Sequence, residues 1–121
     1  MKNINIKKKI IIFDIDNTLC STKNKNYEKS KPLKSRIKTL NNLYNNGHII
    51  KIFTARYMGK YDGNINIIKK KYYKKTRKQL KKWGIKFHEL IMGKPIFDIF
   101  VDDKSYNTKD QTLKKIFKEL T

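Results

Sequence analysis

Two aspartates, Asp14 and Asp16, stand two residues apart directly after the apolar run Ile10–Phe13. Residues two apart on a strand point to the same face, so the two carboxylates would lie side by side. Neighbouring like charges repel, and a partly buried pair is costly unless a positive charge compensates for it. A divalent cation bound by oxygen ligands provides that compensation. The spacing therefore predicts a metal-dependent site at the end of this strand, and a turn or helix cap is the alternative.

The composition is strongly basic, because 30 Lys and Arg against 10 Asp and Glu give a formal charge of +20. Such a field attracts phosphate esters, nucleic acids or acidic membrane surfaces, and it says nothing about the fold. An AT-rich coding sequence also produces many Lys, Asn and Ile residues, so compositional drift is the alternative origin of the charge. The charge therefore predicts non-specific nucleic-acid binding without identifying a function.

Cysteine content and hydropathy exclude several classes of protein. The single cysteine, Cys20, permits neither an internal disulfide nor a thiolate zinc cluster, which favours a reducing, cytoplasmic location. The apolar stretch after the basic start ends at Asp14, whereas a membrane span needs about 20 apolar residues. We expect no signal peptide and no membrane span.

Apolar periodicity predicts alternating strands and helices in one domain over residues 1–121. The predicted strands are Ile10–Phe13, Ile49–Phe53, Phe87–Ile91 and Phe97–Val101. The predicted helices are Leu33–Tyr44, Ile65–Trp83 with a dense lysine face, and Leu113–Leu120. This order favours an α/β fold with a mostly parallel sheet, right-handed crossovers and helices on both faces, so the first strand should be buried on both faces.

Polar residues follow several of these strands. Asp14 and Asp16 come after the first strand, Thr54 after the second, and Asp102 and Asp103 after the last. Ligands of parallel sheets bind beyond the carboxyl ends of the strands. We therefore expect these side chains to meet at one edge of the sheet.

Four short motifs carry a family resemblance: DIDNT at 14–18, IFTAR at 52–56, GKP at 93–95 and FVDD at 100–103. In type and order they resemble the four motifs of haloacid dehalogenase-like phosphatases. The stretches TARYMGKYDG and QLKKWGIKFHELIMGKPIFDIFVDDKS resemble small phosphatases found in capsule and lipopolysaccharide gene neighbourhoods. The resemblance implies a Rossmann-like three-layer sandwich without a cap domain, since the segments 19–31 and 55–84 are too short for one.

The resemblance also implies a phosphomonoester hydrolase that works through an aspartyl-phosphate. Asp14 would be the nucleophile, and Asp16 would protonate the leaving oxygen and later take a proton from water. Mg²⁺ would be held by Asp14, Asp16 and Asp102, an oxygen-rich set that suits this ion. Asp103 is expected to hold a water ligand of the metal or to contact Lys94.

Three residues are expected to contact the phosphoryl group. Thr54 would donate its hydroxyl, and Lys94 would add a point charge beside the nucleophile. Arg56 would bind a second anionic group of the substrate, and an outward-facing structural arginine is the alternative. His88 has no second ligand at metal-binding spacing and Cys20 has no base partner, so neither is assigned chemistry.

Three functions are compatible with these residues. The first is hydrolysis of a small phosphorylated metabolite such as a sugar phosphate, at an open site that a second subunit of a homo-oligomer could close. The second is a polynucleotide 3′- or 5′-end phosphatase, because KYYKKTRK at 71–78 resembles part of the phosphatase domain of polynucleotide kinase-phosphatases. The third is a non-catalytic domain that binds polyanions through its lysine face.

Overall fold

The computed structural model describes residues 7–109 and 111–120, with the side chains of 111–114 and 116 outside the description. The strands are β1 (Ile10–Phe13), β2 (Cys20–Ser21), β3 (Lys31–Pro32), β4 (Ile49–Thr54) and β5 (Glu89–Met92). The helices are α1 (Lys34–Asn45), α2 (Ile65–Lys82) and α3 (Gln111–Leu120). None of the described helices combines the length and the apolar character that crossing a membrane requires.

The central sheet is parallel and has the strand order β1–β4–β5. Phe13 pairs with Ile52 and Thr54 pairs with Met92, so the carboxyl ends of the three strands lie at one edge. Helix α1 connects β1 to β4, and α2 connects β4 to β5. The prediction of a parallel α/β sheet is confirmed for these elements, and the chain segment after β1 adds the antiparallel pair β2–β3.

The two faces of this sheet differ in burial. Ile52 and Leu90 lie on the covered face and join one apolar core with Leu40 of α1 and Leu80 of α2. On the opposite face Ile10 and Ile12 are 63% and 58% exposed. The prediction that the first strand is buried on both faces, beneath helices on both sides, is therefore wrong for the described residues. The run of isoleucines is typical of a buried strand, but nothing in the described part of the chain covers this face of β1.

The predicted strand Phe97–Val101 is also wrong, because the segment has no strand pairing. Its side chains lie largely in solvent, with Ile99 81% and Val101 91% exposed. The rings of Phe97 and Phe100 pack on each other with centroids 5.2 Å apart. Residues three apart on an extended strand point to opposite faces, so this contact requires a bent backbone. Lys94 stabilises the bend, since its Nζ lies 5.1 Å and 5.8 Å from the two ring centroids.

This bend predicts where a protease cuts first. Irregular, exposed backbone opens at low cost, whereas the β4 strand opens only with the core. We expect limited chymotrypsin digestion to cleave after Phe97 or Phe100 well before Phe53 of β4, as followed by mass spectrometry of the fragments. Equal protection at these three positions would contradict the irregular segment and restore the predicted strand.

Candidate active site

The backbone just beyond β1 determines how the first motif is displayed. Ile15 is fully buried, while Asp14 and Asp16 on either side of it are only half-buried. Asn17 then adopts the left-handed region with φ of 62°, which asparagine tolerates better than most residues. The sequence Asp-Ile-Asp-Asn thus anchors itself through one isoleucine and leaves two carboxylates at the carboxyl edge of the sheet.

Asp14 faces Lys94. The Lys94 Nζ lies 3.7 Å from Asp14 Oδ1, and the Lys94 backbone N–H donates to the Thr54 carbonyl at 3.0 Å. Asp14, Thr54 and Lys94, from three parts of the sequence, therefore meet at this edge. Burial raises the pKa of Asp14 above its usual value, and the nearby Asp16 charge adds to this, although Lys94 opposes it.

Asp16 is held by a different cation, Arg56. The Arg56 Nε donates to Asp16 Oδ2 and its Nη2 donates to Oδ1, both at 2.9 Å. The remaining Nη1 donates to Gln79 Oε1 at 2.6 Å, and the guanidinium lies over the Tyr27 ring at 5.0 Å. Arg56 is only 2% exposed, so a planar fork in a dry environment orients this carboxylate.

The short antiparallel pair β2–β3 and its connection, residues 20–32, form a flap that contacts Asp16 from the other side. The Thr22 hydroxyl donates to Asp16 Oδ1 at 2.6 Å, and Ser30 contacts the same hydroxyl. The Cys20 thiol lies 3.6 Å from Asp16 Oδ1. Burial raises the pKa of the Cys20 thiol, so it stays protonated and packs in the core, as predicted.

Two residues predicted to bind phosphate, Thr54 and Arg56, are buried. Arg56 was expected either at the substrate or facing outward, but its guanidinium is buried against Asp16. Sequence reasoning missed this because an arginine at a strand end is usually exposed and a partner 40 residues away has no local signal. Thr54 is fully buried, and its Oγ1 accepts the Arg56 backbone N–H at 3.1 Å. Contact of Thr54 with a phosphoryl group stays a prediction.

The predicted metal ligands are not gathered in this arrangement. Asp102 and Asp103 lie in an exposed turn, where a hydrogen bond from Asp103 and the Lys104 backbone N–H lower the pKa of Asp102. Among the residues described here, no three His, Cys, Asp or Glu side chains are close enough to bind one metal ion. The negative charges of Asp14 and Asp16 are compensated by Lys94 and Arg56, respectively.

An aromatic cluster joins the flap to α2 and was not foreseen from the sequence. Tyr57 stacks on Tyr72 with centroids 3.6 Å apart, and it contacts the edge of Tyr27 at 4.8 Å. Tyr57 follows Arg56 directly and has a φ of 69°, so the turn after β4 directs the two side chains towards the flap. Burial raises the pKa of Tyr57 to about 12.

Comparisons with known proteins place the fold among solved structures. No protein-family model and no curated protein sequence matches the chain. A structural-genomics target from Vibrio cholerae is similar with a TM-score of 0.78 and 25% identity, over 95% of this chain and 100% of that one. Two structures of a Pnkp1/Rnl/Hen1 complex, one named as an RNA repair complex, match with TM-scores of 0.53 and 0.52 and identities of 19% and 17%.

The matches to the two Pnkp1/Rnl/Hen1 structures cover only part of the matched chains. The chain is covered to 97% and 98% in those two comparisons but spans only 36% of the chain that it matches. Identities below a quarter show a shared fold, and function belongs to the site rather than to the fold. The comparisons therefore support the small α/β fold described above.

The Arg56–Asp16 pair generates a prediction about stability. Arg56→Met should lower the free energy of unfolding by about 3 kcal/mol, because it leaves a largely buried carboxylate without its partner. Adding Asp16→Asn should recover much of this loss, as measured by urea unfolding in a double-mutant cycle.

Lys75→Met is the matched control for that cycle. It removes a cation 2.9 Å from Glu28, and both side chains of this pair are more than 60% exposed. We expect a much smaller loss of stability than in Arg56→Met, because solvent screens an exposed pair. Equal losses in the two variants would contradict the structural role of Arg56.

The Tyr57 environment generates a prediction about alkaline pH. A phenol whose pKa is raised in the folded state favours folding fully below its unfolded pKa of roughly 10, and this contribution is lost as pH rises towards about 12. Tyr57→Phe should remove this pH dependence and the most alkaline phase of the tyrosinate absorbance titration. A titration curve for Tyr57→Phe that retains the phase would place the perturbed phenol elsewhere.

Proposed function

We propose that this protein is a phosphomonoester hydrolase of the haloacid dehalogenase-like type, with Asp14 as the nucleophile. The observation that carries the proposal is the position of Asp14, half-buried at the carboxyl edge of β1 with the Lys94 ammonium 3.7 Å away. A carboxylate that is partly desolvated and paired with a single ammonium group is poised to react, and the same cation can neutralise an incoming phosphoryl oxygen. The order of the four motifs supports the same chemistry.

In the first step, an Asp14 carboxylate oxygen attacks the phosphorus atom. The oxygen–phosphorus bond to Asp14 forms as the ester bond breaks, and the leaving alkoxide takes a proton from an acid in the site. In the second step, a water oxygen attacks the aspartyl-phosphate, the bond to Asp14 breaks, and the proton of the water passes to a base. The products are an alcohol and inorganic phosphate, and Lys94 stabilises the charge that develops on the equatorial oxygens.

Asp16 is the proposed acid and base in these steps. In the structure its carboxylate accepts hydrogen bonds from Arg56 and from Thr22, which is the form needed to take a proton from the attacking water. To donate a proton to the leaving oxygen, Asp16 must first be protonated, and the protonated oxygen then loses its hydrogen bond from Arg56. The proposed mechanism therefore makes Arg56 a positioning residue that aligns Asp16.

Mg²⁺ is the cofactor of the proposal, on the basis of donor chemistry alone. Asp14, Asp16 and Asp102 supply the hard oxygen ligands that this ion prefers. The positions described above do not fit a single metal site, because Asp102 and Asp103 lie in the exposed turn. We therefore assign the ion no step in the reaction.

The nucleophile is tested by Asp14→Asn, with an aryl phosphate as substrate. The amide is nearly isosteric but cannot attack phosphorus, so we expect turnover to fall by at least about 1000-fold. Because burial raises the pKa of Asp14, the ionised carboxylate opposes folding at neutral pH, and the variant should melt no lower than the wild type. Asp62→Asn is the control, since Asp62 is exposed and asparagine accepts its φ of 54°. Retained turnover in Asp14→Asn would reject the nucleophile.

The cofactor is tested by thermal melting. Mg²⁺ that binds only the native protein raises the melting temperature with its concentration. A shift in the wild type that is lost in Asp102→Asn and kept in Asp98→Asn, from the same exposed segment, would support Asp102 as a ligand of the ion. An undiminished shift in Asp102→Asn would show that the ion binds elsewhere.

A small phosphorylated metabolite such as a sugar phosphate is the first candidate substrate, as the sequence predicts. The second candidate is the phosphorylated end of a polynucleotide, which is favoured by the fold shared with an RNA repair complex. The ratio kcat/KM at one fixed salt concentration separates them, because binding energy accelerates the reaction only if it is realised in the transition state. A higher value for a sugar phosphate than for 3′- and 5′-phosphorylated oligonucleotides supports the first candidate, and the reverse order supports the second.

A further inference from the structure

One face of α2 forms the wall of a groove. Its members recur at intervals of three and four residues, which places them on one side of the helix. They are Asn66, Lys69, Lys70, Tyr73 and Lys74, and together with Glu89, Leu90 and Ile91 from β5 they line a cavity of about 670 Å³. Helix α2 buries Ile68 and Leu80 in the core, whereas the groove residues Asn66, Lys69, Lys70 and Lys74 are exposed.

The groove is positively charged. Helix α2 contains no acidic residue, and within the described ranges Lys69, Lys70 and Lys74 form no ion pair, unlike the adjacent Lys75. The acidic side chain at the rim, Glu89, is itself neutralised by Lys51 at 3.4 Å. Three lysines that are not engaged by acids line one concave surface, which is an arrangement that attracts a polyanion.

The groove also contains an aromatic ring. Tyr73 is half-buried and lies on the same helix face between Lys70 and Lys74. A basic channel that follows the backbone, combined with an aromatic side chain on which a base stacks, is the arrangement by which proteins bind single-stranded nucleic acid. We infer that the groove between α2 and β5 is a binding site for single-stranded nucleic acid, with the lysines on phosphates and Tyr73 under a base.

The direction of the groove adds to this inference. Its Asn66 end lies near the carboxyl edge of the sheet, since a Cβ at Gly93 would lie 2.9 Å from the Ile65 side chain and Lys94 follows directly. Beyond the groove, Arg77 and Lys81 continue the same helix face. From Lys69 to Lys81 this basic stripe extends about 18 Å at the rise of an α-helix. A strand bound along it has one end towards the carboxyl edge of the sheet.

The inference goes beyond the proposed hydrolase and concerns binding alone. The test uses the whole chain and an unphosphorylated single-stranded RNA oligonucleotide, with Kd measured by fluorescence anisotropy across a series of salt concentrations. The groove variant combines Lys69→Gln, Lys70→Gln and Lys74→Gln. The control variant combines Lys31→Gln, Lys34→Gln and Lys38→Gln, which remove the same charge from an exposed surface on β3 and α1.

We expect the groove variant to weaken binding by at least about tenfold at physiological salt and to lower the slope of log K against log salt by about 2, since each phosphate contact contributes about 0.7. The control variant should change neither quantity as strongly. Tyr73→Leu should weaken binding about 5- to 100-fold while keeping the slope, because it removes stacking and no charge. Equal effects of the two triple variants would reject the groove as the binding site.

A second comparison tests the class of polyanion. If heparin binds as tightly as the oligonucleotide and Tyr73→Leu changes neither affinity, the groove is a general polyanion surface and the nucleic-acid assignment fails. Asp14→Asn should bind RNA like the wild type, so a failure of the hydrolase proposal leaves this result unaffected. Loss of RNA binding in the groove variant with a normal circular-dichroism spectrum and melting temperature excludes misfolding as its cause.

Discussion

The guanidinium of Arg56 reaches the Asp16 carboxylate across 40 residues of sequence, and the rest of the site depends on this contact. Through Asp16 it fixes the turn after β1, and through Gln79 it contacts α2. The Gln79 side chain in turn donates to the Tyr27 carbonyl of the flap at 2.8 Å. One buried cation thus joins the ends of two neighbouring strands to the flap and to the following helix. Removing it leaves the largely buried Asp16 carboxylate and the Gln79 Oε1 acceptor without their donor, which costs more than the pair itself contributes.

This pair also makes the two carboxylates of the first motif different. Asp16 receives a bidentate, buried partner and is fixed, while Asp14 has a single ammonium at 3.7 Å and remains more than a third exposed. Two carboxylates in different environments can take different chemical roles. In the proposed mechanism the less constrained carboxylate approaches phosphorus, and the constrained one is aligned beside it. The proposed division of roles between nucleophile and acid–base residue therefore rests on the different cation that each carboxylate contacts.

The parts of the fold that local pattern determines were predictable from the sequence. The alternation of apolar runs such as Ile10–Phe13 with helical periodicity indicated parallel strands, and the polar residues that follow them indicated the edge where Asp14 lies. Contacts between residues that are far apart in sequence were not predictable. The run Phe97–Val101 has the composition of a strand, but composition does not specify a neighbour, and the contacts of its two phenylalanines with Lys94 bend it instead. Arg56 appeared to be a substrate ligand because nothing near it in sequence revealed Asp16 as its partner.

The proposed hydrolysis requires that Asp14 becomes covalently phosphorylated during turnover. The most direct measurement is to quench the reaction with acid during steady-state hydrolysis of an aryl phosphate and to map the modified peptide by mass spectrometry. Reduction with borohydride converts an aspartyl-phosphate into homoserine and so marks the residue that carried the phosphoryl group. Phosphorylation of Asp14 predicts homoserine at position 14 in the wild type and none when substrate is omitted. Modification at another residue, or turnover with Asp14 unmodified in every quench, would contradict it.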